Sequence, residues 1–164
     1  MIRLLEPRDG DDLAALYRAN WDFLQPFEPA RDDGFFTGGV QRRRIERMRD
    51  GDYWLWGIHD GGPLVGMISL SDVFRGPLQM ANVGYWVGRE WNGRGLASDA
   101  VARVVEFAFG DAGLHRLEAA TLPDNRASQR VLEKNGFAEF GVATKLLLID
   151  GVWRDHVLFE RVKD

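Results

Sequence analysis

Apolar residues recur along this chain with two different periods, and the switches between them mark out its elements. Ile2–Leu5 reads as a short first strand. Asp11–Asn20 has helical spacing, with Leu13, Leu16 and Tyr17 on one face. Trp21–Gly38 reads as a loop broken by Pro26, Pro29 and Gly34, and it carries five aromatics: Trp21, Phe23, Phe27, Phe35 and Phe36. Val40–Arg49 is expected as a second helix, with Val40, Ile45 and Met48 inward.

The period then shortens. Tyr53–His59 and Leu64–Leu70 flank Asp60-Gly61-Gly62-Pro63 and read as a hairpin. Ala81–Gly88 is a further strand. Ala97–Phe109 returns to helical spacing, with Ala97, Val101, Val104, Val105 and Ala108 in one stripe. Arg116–Thr121 is a buried-looking strand, and Asn125–Asn135 is a helix stopped by Gly136 in a left-handed cap. Glu139–Ile149 and Val152–Glu160 close the chain as two strands joined by Asp150-Gly151, a strong hairpin cue. The order β α α β β β α β α β β implies a mixed sheet, with a parallel crossover through Ala97–Phe109.

At 164 residues the chain suits one domain, 1–164, large enough to bury its own core. Hydrophobic residues make up 45% and charged residues 28%, ordinary for a globular protein. There is no cysteine, which excludes disulfides, thiolate metal sites and a cysteine nucleophile, and fits a cytoplasmic location. The N-terminus lacks the apolar stretch of a signal peptide, and no segment approaches the roughly 20 apolar residues of a membrane span. The net charge of −4 disfavours non-specific nucleic-acid binding. His59 and His115 have no partners at metal-ligand spacing, so no metal is expected.

The chemistry centres on one turn. Gly84-Tyr85-Trp86-Val87-Gly88 ends a strand, Arg89-Glu90-Trp91-Asn92-Gly93-Arg94-Gly95 follows, and a helix starts at once. Glycines at 93 and 95 allow a sharp turn that exposes backbone N–H groups, and these together with the helix dipole favour an anion such as a pyrophosphate. Arg94 adds charge. The plain alternative is a tight turn that needs glycine for geometry alone. The turn is not a Walker loop, since no Gly-Lys-Ser/Thr follows, and it lacks the third glycine of the dinucleotide fingerprint.

Asn92-Gly93-Arg94-Gly95-Leu96-Ala97 resembles the acyl-CoA loop of the GNAT superfamily, Gln/Arg-x-x-Gly-x-Gly/Ala, with Asn92 where Gln or Arg is usual. Leu96-Ala97-Ser98-Asp99-Ala100, Asn125-Arg126-Ala127-Ser128, Val131-Leu132-Glu133-Lys134, Asn135-Gly136-Phe137 and Gly151-Val152-Trp153-Arg154-Asp155-His156-Val157-Leu158 resemble the branch of ribosomal-protein N-terminal acetyltransferases of the RimJ/RimL type. The resemblance spans nearly the whole chain. It implies an α/β fold: a single GNAT domain with a mixed, mostly antiparallel central sheet, flanked by helices and containing two splayed parallel strands.

The resemblance also implies roles. Acetyl-CoA would lie where Asn82–Gly88 and Arg116–Thr121 splay apart. The backbone at Trp86 and Val87 would pair with pantetheine, and the Val87 N–H would polarise the thioester carbonyl, an interaction worth about 3 kcal/mol in the transition state. Asn92, Gly93, Arg94, Gly95, Leu96, Ala97, Ser98 and Lys134 would complete the cofactor contacts. Asn125 would hold the pantetheine arm, or serve simply as a helix N-cap. Many GNAT enzymes carry a tyrosine acid at the position of Leu132. That acid is absent here, and the resemblance to the RimJ/RimL-type branch, which is similar in this respect, implies Ser128 as the candidate acid and a cofactor contact, against the alternative of a serine bonded to its own helix.

The acceptor is expected to be a primary amine. An α-amine is neutral to roughly a tenth or more at pH 7, a lysine to about one part in 2,500, so an N-terminal acceptor needs little help from a base. Glu118 is the preferred base, against the alternative of a sheet-edge carboxylate, and His156 ranks after it. Trp21, Phe23, Glu28 and Arg31 are candidates for acceptor binding, with Trp21, Phe23 and Phe27 alternatively in the core. Asp72 could bind a cationic substrate. Arg42, Arg43, Arg44, Arg47 and Arg49 form either a solvated face or a guide for an acidic peptide or ribosomal surface. Exposed aromatics and sheet edges are compatible with a homodimer. The rival readings are a small-amine acetyltransferase, acting on a polyamine, amino acid or aminoglycoside, and a non-catalytic acyl-CoA-binding module.

Overall fold

A computed structural model of the chain describes residues 1–50 and 53–164. The elements follow the expected order: β1 (Ile2–Leu4), α1 (Gly10–Leu24), α2 (Gly38–Glu46), β2 (Trp54–His59), β3 (Leu64–Phe74), β4 (Met80–Val87), α3 (Leu96–Phe109), β5 (Arg116–Thr121), α4 (Arg126–Lys134), β6 (Ala138–Ile149) and β7 (Val152–Val162). The strands form one sheet in the order β1-β2-β3-β4-β5-β7-β6. All neighbours are antiparallel except β4 and β5.

That exception builds the site. β4 and β5 pair in parallel only from Met80↔Arg116 to Asn82↔Glu118 and then diverge. The two strands run on, to Val87 and Thr121, without pairing each other. β5 is instead held on its other side by β7 along its whole length.

Two cores flank the sheet. One face carries Val104 and Val101 of α3 and Leu132 of α4 against Ile68, Val83, Leu117 and Phe159. On the other, Leu13, Tyr17 and Leu24 of α1 and Ile45 of α2 pack on Leu55, Met67 and Trp86. Strand alternation therefore sends Val83, Tyr85 and Val87 toward α3 and α4, and Trp86 toward α1 and α2.

Three boundaries differ from expectation for local reasons. The predicted loop at Trp21–Gly38 begins later, because Leu13, Tyr17, Asn20 and Leu24 keep helical spacing until Pro26 stops α1. Within the remainder, Gln25–Phe27 and Asp33–Phe36 are 3-10 turns, the latter capped by Asp32 accepting from the Phe35 N–H at 3.0 Å. α2 ends at Glu46 and continues as a 3-10 turn over Arg47–Asp50. β3 runs past Leu70 to Phe74 across an irregularity in its register that holds Asp72 at φ 49°. The Asp150-Gly151 turn has positive φ at both residues, 48° and 76°, as a two-residue type I′ hairpin requires.

Among the described residues, no helix is long and apolar enough to cross a membrane.

Candidate active site

The antiparallel register fixes which backbone groups face the gap between β4 and β5. Gly88 N–H donates to Val65 O at 2.7 Å, and these residues lie opposite each other in the ladder. Bonded pairs alternate along an antiparallel ladder, so Gly84 and Trp86 are likewise committed to β3. The N–H and C=O groups of Tyr85 and Val87 point the other way, into the splay, where β5 no longer meets them, while Val83 adjoins the last paired position, Asn82↔Glu118. Of the expected pantetheine contacts Trp86 and Val87, only Val87 thus offers a free backbone edge; Trp86 does not. The Val87 carbonyl accepts from Asn92 Nδ2 at 3.0 Å, as does that of Gly88 at 3.0 Å. Asn92 is therefore a clamp that shapes the loop.

The splay opens a cleft of about 350 Å³ whose polar lining includes Glu28, Tyr85, Asn92, Asn125, Ser128 and His156. A second cavity of about 280 Å³ shares Val87, Asn92 and Ala97 with it and is lined by Gly93, Gly95 and Ser98, with Arg130 and Lys134. Gly93 and Gly95 have φ of 78° and 81°, the left-handed region that glycine tolerates. Gly95 caps α3, whose first intrahelical bond is Asp99 N–H to Gly95 O at 3.0 Å. The N–H groups of Leu96, Ala97 and Ser98 therefore have no acceptor within the helix. Free N–H groups, a helix N-terminus and two cations at one cavity make a site for a diphosphate.

Several elements hold this frame. Asn20 joins α1 to the loop after β4, donating to Leu16 O at 3.0 Å and accepting from the Arg89 N–H at 3.0 Å. Asn135 ties α4 to the first turn of α3 through Ser98 O at 3.2 Å and Ser98 Oγ at 3.1 Å. Gln129 Nε2 pins α4 to the end of β5 through Leu122 O and Pro123 O, both at 3.2 Å.

Ser128 lies in the first turn of α4, where Asn125 accepts its backbone N–H at 3.2 Å. Asn125 thus does act as N-cap, and it also lines the cleft. The Tyr85 hydroxyl donates to Ser128 O at 3.0 Å and lies 2.9 Å from Ser128 Oγ, whose proton it accepts in this arrangement. Burial pushes the Tyr85 phenol up to about 12, so it stays protonated at neutral pH. Leu132, at the position of the missing tyrosine, is fully buried. A phenol is thus present, but it comes from β4.

At the other side of the cleft, burial raises the Glu28 carboxyl above its ordinary range, opposed by the charges of Arg31 and Arg44. His156 is buried, and its Nδ1 lies 3.1 Å from Arg154 O. A carbonyl only accepts, so this contact places a proton on Nδ1 and leaves Nε2 as the other ring nitrogen.

Other expected residues lie elsewhere. Glu118 does not line the cleft: it sits at the last paired position of β5, where Arg116 Nε donates to its carboxylate at 2.6 Å. Arg94 turns away from the glycine cavity to pair with Asp60 at 3.1 Å. Phe23 and Glu28 line the cleft, whereas Trp21 packs edge-on to Phe36, their ring centres 5.0 Å apart. Arg31 pairs with Glu28 at 3.4 Å and covers the Phe35 ring. Asp72 accepts from Asn82 at 3.0 Å. Sequence reasoning missed Tyr85 and Arg130. Arg130 was within reach, since it stands four residues before Lys134 and shares its helix face.

Comparison with known proteins agrees with this geometry. The family described as acetyltransferase (GNAT) domain matches residues 1–138. A Bacillus subtilis protein named probable N-acetyltransferase YjcK is 40% identical over 161 residues, 94% of this chain and 89% of its own length. The Escherichia coli [ribosomal protein uS5]-alanine N-acetyltransferase is 35% identical over 164 residues, covering 96% of this chain and 84% of its own. The structure of Mycobacterium smegmatis RimJ in complex with CoA-disulfide superposes with a TM-score of 0.92 at 30% identity, covering 98% of this chain and 80% of that one.

Proposed function

We propose that this chain, which belongs to the GNAT acetyltransferase family, carries acetyl from acetyl-CoA to the α-amine of a protein or peptide in the cytoplasm. The observation that carries this reading is the open backbone edge of Tyr85 and Val87, which faces Ser128 across one cleft and continues into the glycine-lined cavity. The resident groups fit acetyl-CoA. The α3 N-terminus with Arg130 and Lys134 suits its diphosphate, and the β4 edge suits its amide-bearing arm. Bound there, acetyl-CoA supplies an acyl carbon activated as a thioester.

The chain's own groups then have distinct tasks. The Val87 N–H donates to the thioester oxygen as negative charge develops on it. Glu28, whose carboxyl is raised by burial, receives the ammonium form of the acceptor and takes its first proton. His156 Nε2 takes the proton that the attacking amine loses. Ser128 Oγ–H protonates the departing sulfur, and the Tyr85 hydroxyl, 2.9 Å away, turns its proton from Ser128 O to Oγ to replace it. A phenolate at Tyr85 is a more stable end point than a serine alkoxide. The α-amine reading draws on the Escherichia coli relative, which acts on an alanine of a ribosomal protein.

The test is thiol release from acetyl-CoA against N-terminal peptides, polyamines, amino acids and aminoglycosides. Turnover confined to peptides supports the reading. Turnover confined to polyamines or aminoglycosides refutes the acceptor, and CoA binding without turnover of any amine refutes the enzyme.

A further inference from the structure

The basic helix α2 has one arginine that is half-buried rather than exposed. Arg42, Arg43 and Arg47 are exposed, whereas Arg44 turns inward. Its Nη1 donates to Tyr17 OH at 3.0 Å and to Gln41 Oε1 at 3.4 Å, and its Nε donates to Tyr53 OH at 3.2 Å. The Phe35 and Tyr17 rings lie 5.8 and 5.9 Å from the guanidinium carbon. Every one of these partners is neutral. Among the described residues, Arg44 has no carboxylate at ion-pair distance. A half-buried cation held by neutral partners, with no carboxylate in ion-pair contact, is complementary to an anion that arrives with a ligand.

Arg44 lines a cavity of about 840 Å³, separate from the acetyl-transfer cleft, together with Arg47, Arg75, Tyr53, Ser71 and Asp72. The carboxylate of Asp72 is already engaged by Asn82 at 3.0 Å and Ser71 at 3.4 Å. The cavity therefore presents three cations and one anion, an excess of positive charge in a chain whose net charge is −4. The two cavities are joined through Phe35: Glu28, at the amine end of the cleft, pairs with Arg31 at 3.4 Å, Arg31 covers the Phe35 ring 4.5 Å away, and Arg44 lies 5.8 Å from the same ring.

We infer that this cavity receives an acidic side chain of the acceptor peptide, so that the protein selects N-termini followed within the first few residues by aspartate or glutamate. The inference rests on the peptide-acceptor reading above. Glu28 holds the ammonium, and the Arg44 fork takes the carboxylate in a charge-assisted pair.

The experiment compares peptides with one N-terminal residue and Glu, Gln or Lys at positions two to four. The expected result is a KM about 10- to 100-fold lower for the acidic peptide than for the neutral one at low salt, with similar kcat. Arg44→Gln abolishes that difference and Arg44→Lys restores part of it. Arg47→Glu, at an exposed position that leaves the fold intact, narrows it. Equal KM values for acidic and neutral peptides in the wild type, or a preference that survives both Arg44→Gln and Arg47→Glu, overturn the inference. If no peptide is turned over, anisotropy of a labelled acidic peptide on the CoA-loaded protein still reads the cavity. Binding lost in Arg47→Glu then keeps the site and removes only the acetyl-transfer reading, whereas absence of binding removes both.

Discussion

Removing the Ser128 hydroxyl and the Tyr85 hydroxyl, singly and together, separates a proton relay from mere proximity. Ser128 Oγ is the cleft hydroxyl bonded to a second proton donor, at 2.9 Å. If it protonates the leaving sulfur, Ser128→Ala forfeits a general acid, a loss of about 100- to 10,000-fold in kcat. Tyr85→Phe leaves the serine in place and removes the phenol that resupplies it. The loss of one neutral hydrogen bond, about 1 kcal/mol, predicts a fall of roughly 5- to 10-fold. The phenol acts only through Ser128, so the double variant matches Ser128→Ala alone within about twofold. Neither residue lines the glycine cavity, so KM for acetyl-CoA stays unchanged. The assay is stopped-flow thiol release at saturating acceptor, with thermal melts confirming that each variant is folded. Multiplying losses in the double variant, or a Ser128→Ala enzyme within threefold of wild type, would refute the relay.

Two further outcomes follow from the same geometry. Arg130→Ala and Lys134→Ala each raise KM for acetyl-CoA about 5- to 20-fold with kcat unchanged, an effect that shrinks as salt shortens the screening length to about 3 Å at 1 M. The Tyr85 phenol is raised to about 12 in the fold, so its contribution to stability is complete below about pH 10, its unfolded value, and is lost as pH rises through 12. Denaturant titrations between pH 9 and 12 check this: Tyr85→Phe has a shallower decline than wild type, and an identical slope contradicts the assignment.

Much of the fold was readable from local pattern. The type I′ cue at Asp150-Gly151, the stripe through Val101, Val104, Val105 and Ala108, and the cap at Gly136 are short-range signals, and each appears where its residues lie. The cofactor half of the site was readable for the same reason, since a glycine turn and the helix that follows it are contiguous. The acceptor half was not. Whether a carboxylate lines the cleft depends on where the β4–β5 pairing stops, and the last paired position falls on Glu118, leaving it to Arg116. Glu28 and His156 enter from an irregular segment and from a strand added after the crossover, at sequence distances that no periodicity links. Tyr85 looked like one more strand aromatic until α4 brought Ser128 against it. Arg44 was indistinguishable from its basic neighbours by type, and only the packing of α2 singled it out.

The central claim is tested most directly by mass spectrometry on one acidic-segment peptide supplied in two forms, with a free or a blocked α-amine and an internal lysine in both. The account predicts a single acetyl group on the N-terminal residue of the free form, formed in step with thiol release, and none on the blocked form. Acetylation of the lysine in both forms, or thiol release without a modified peptide, would contradict it.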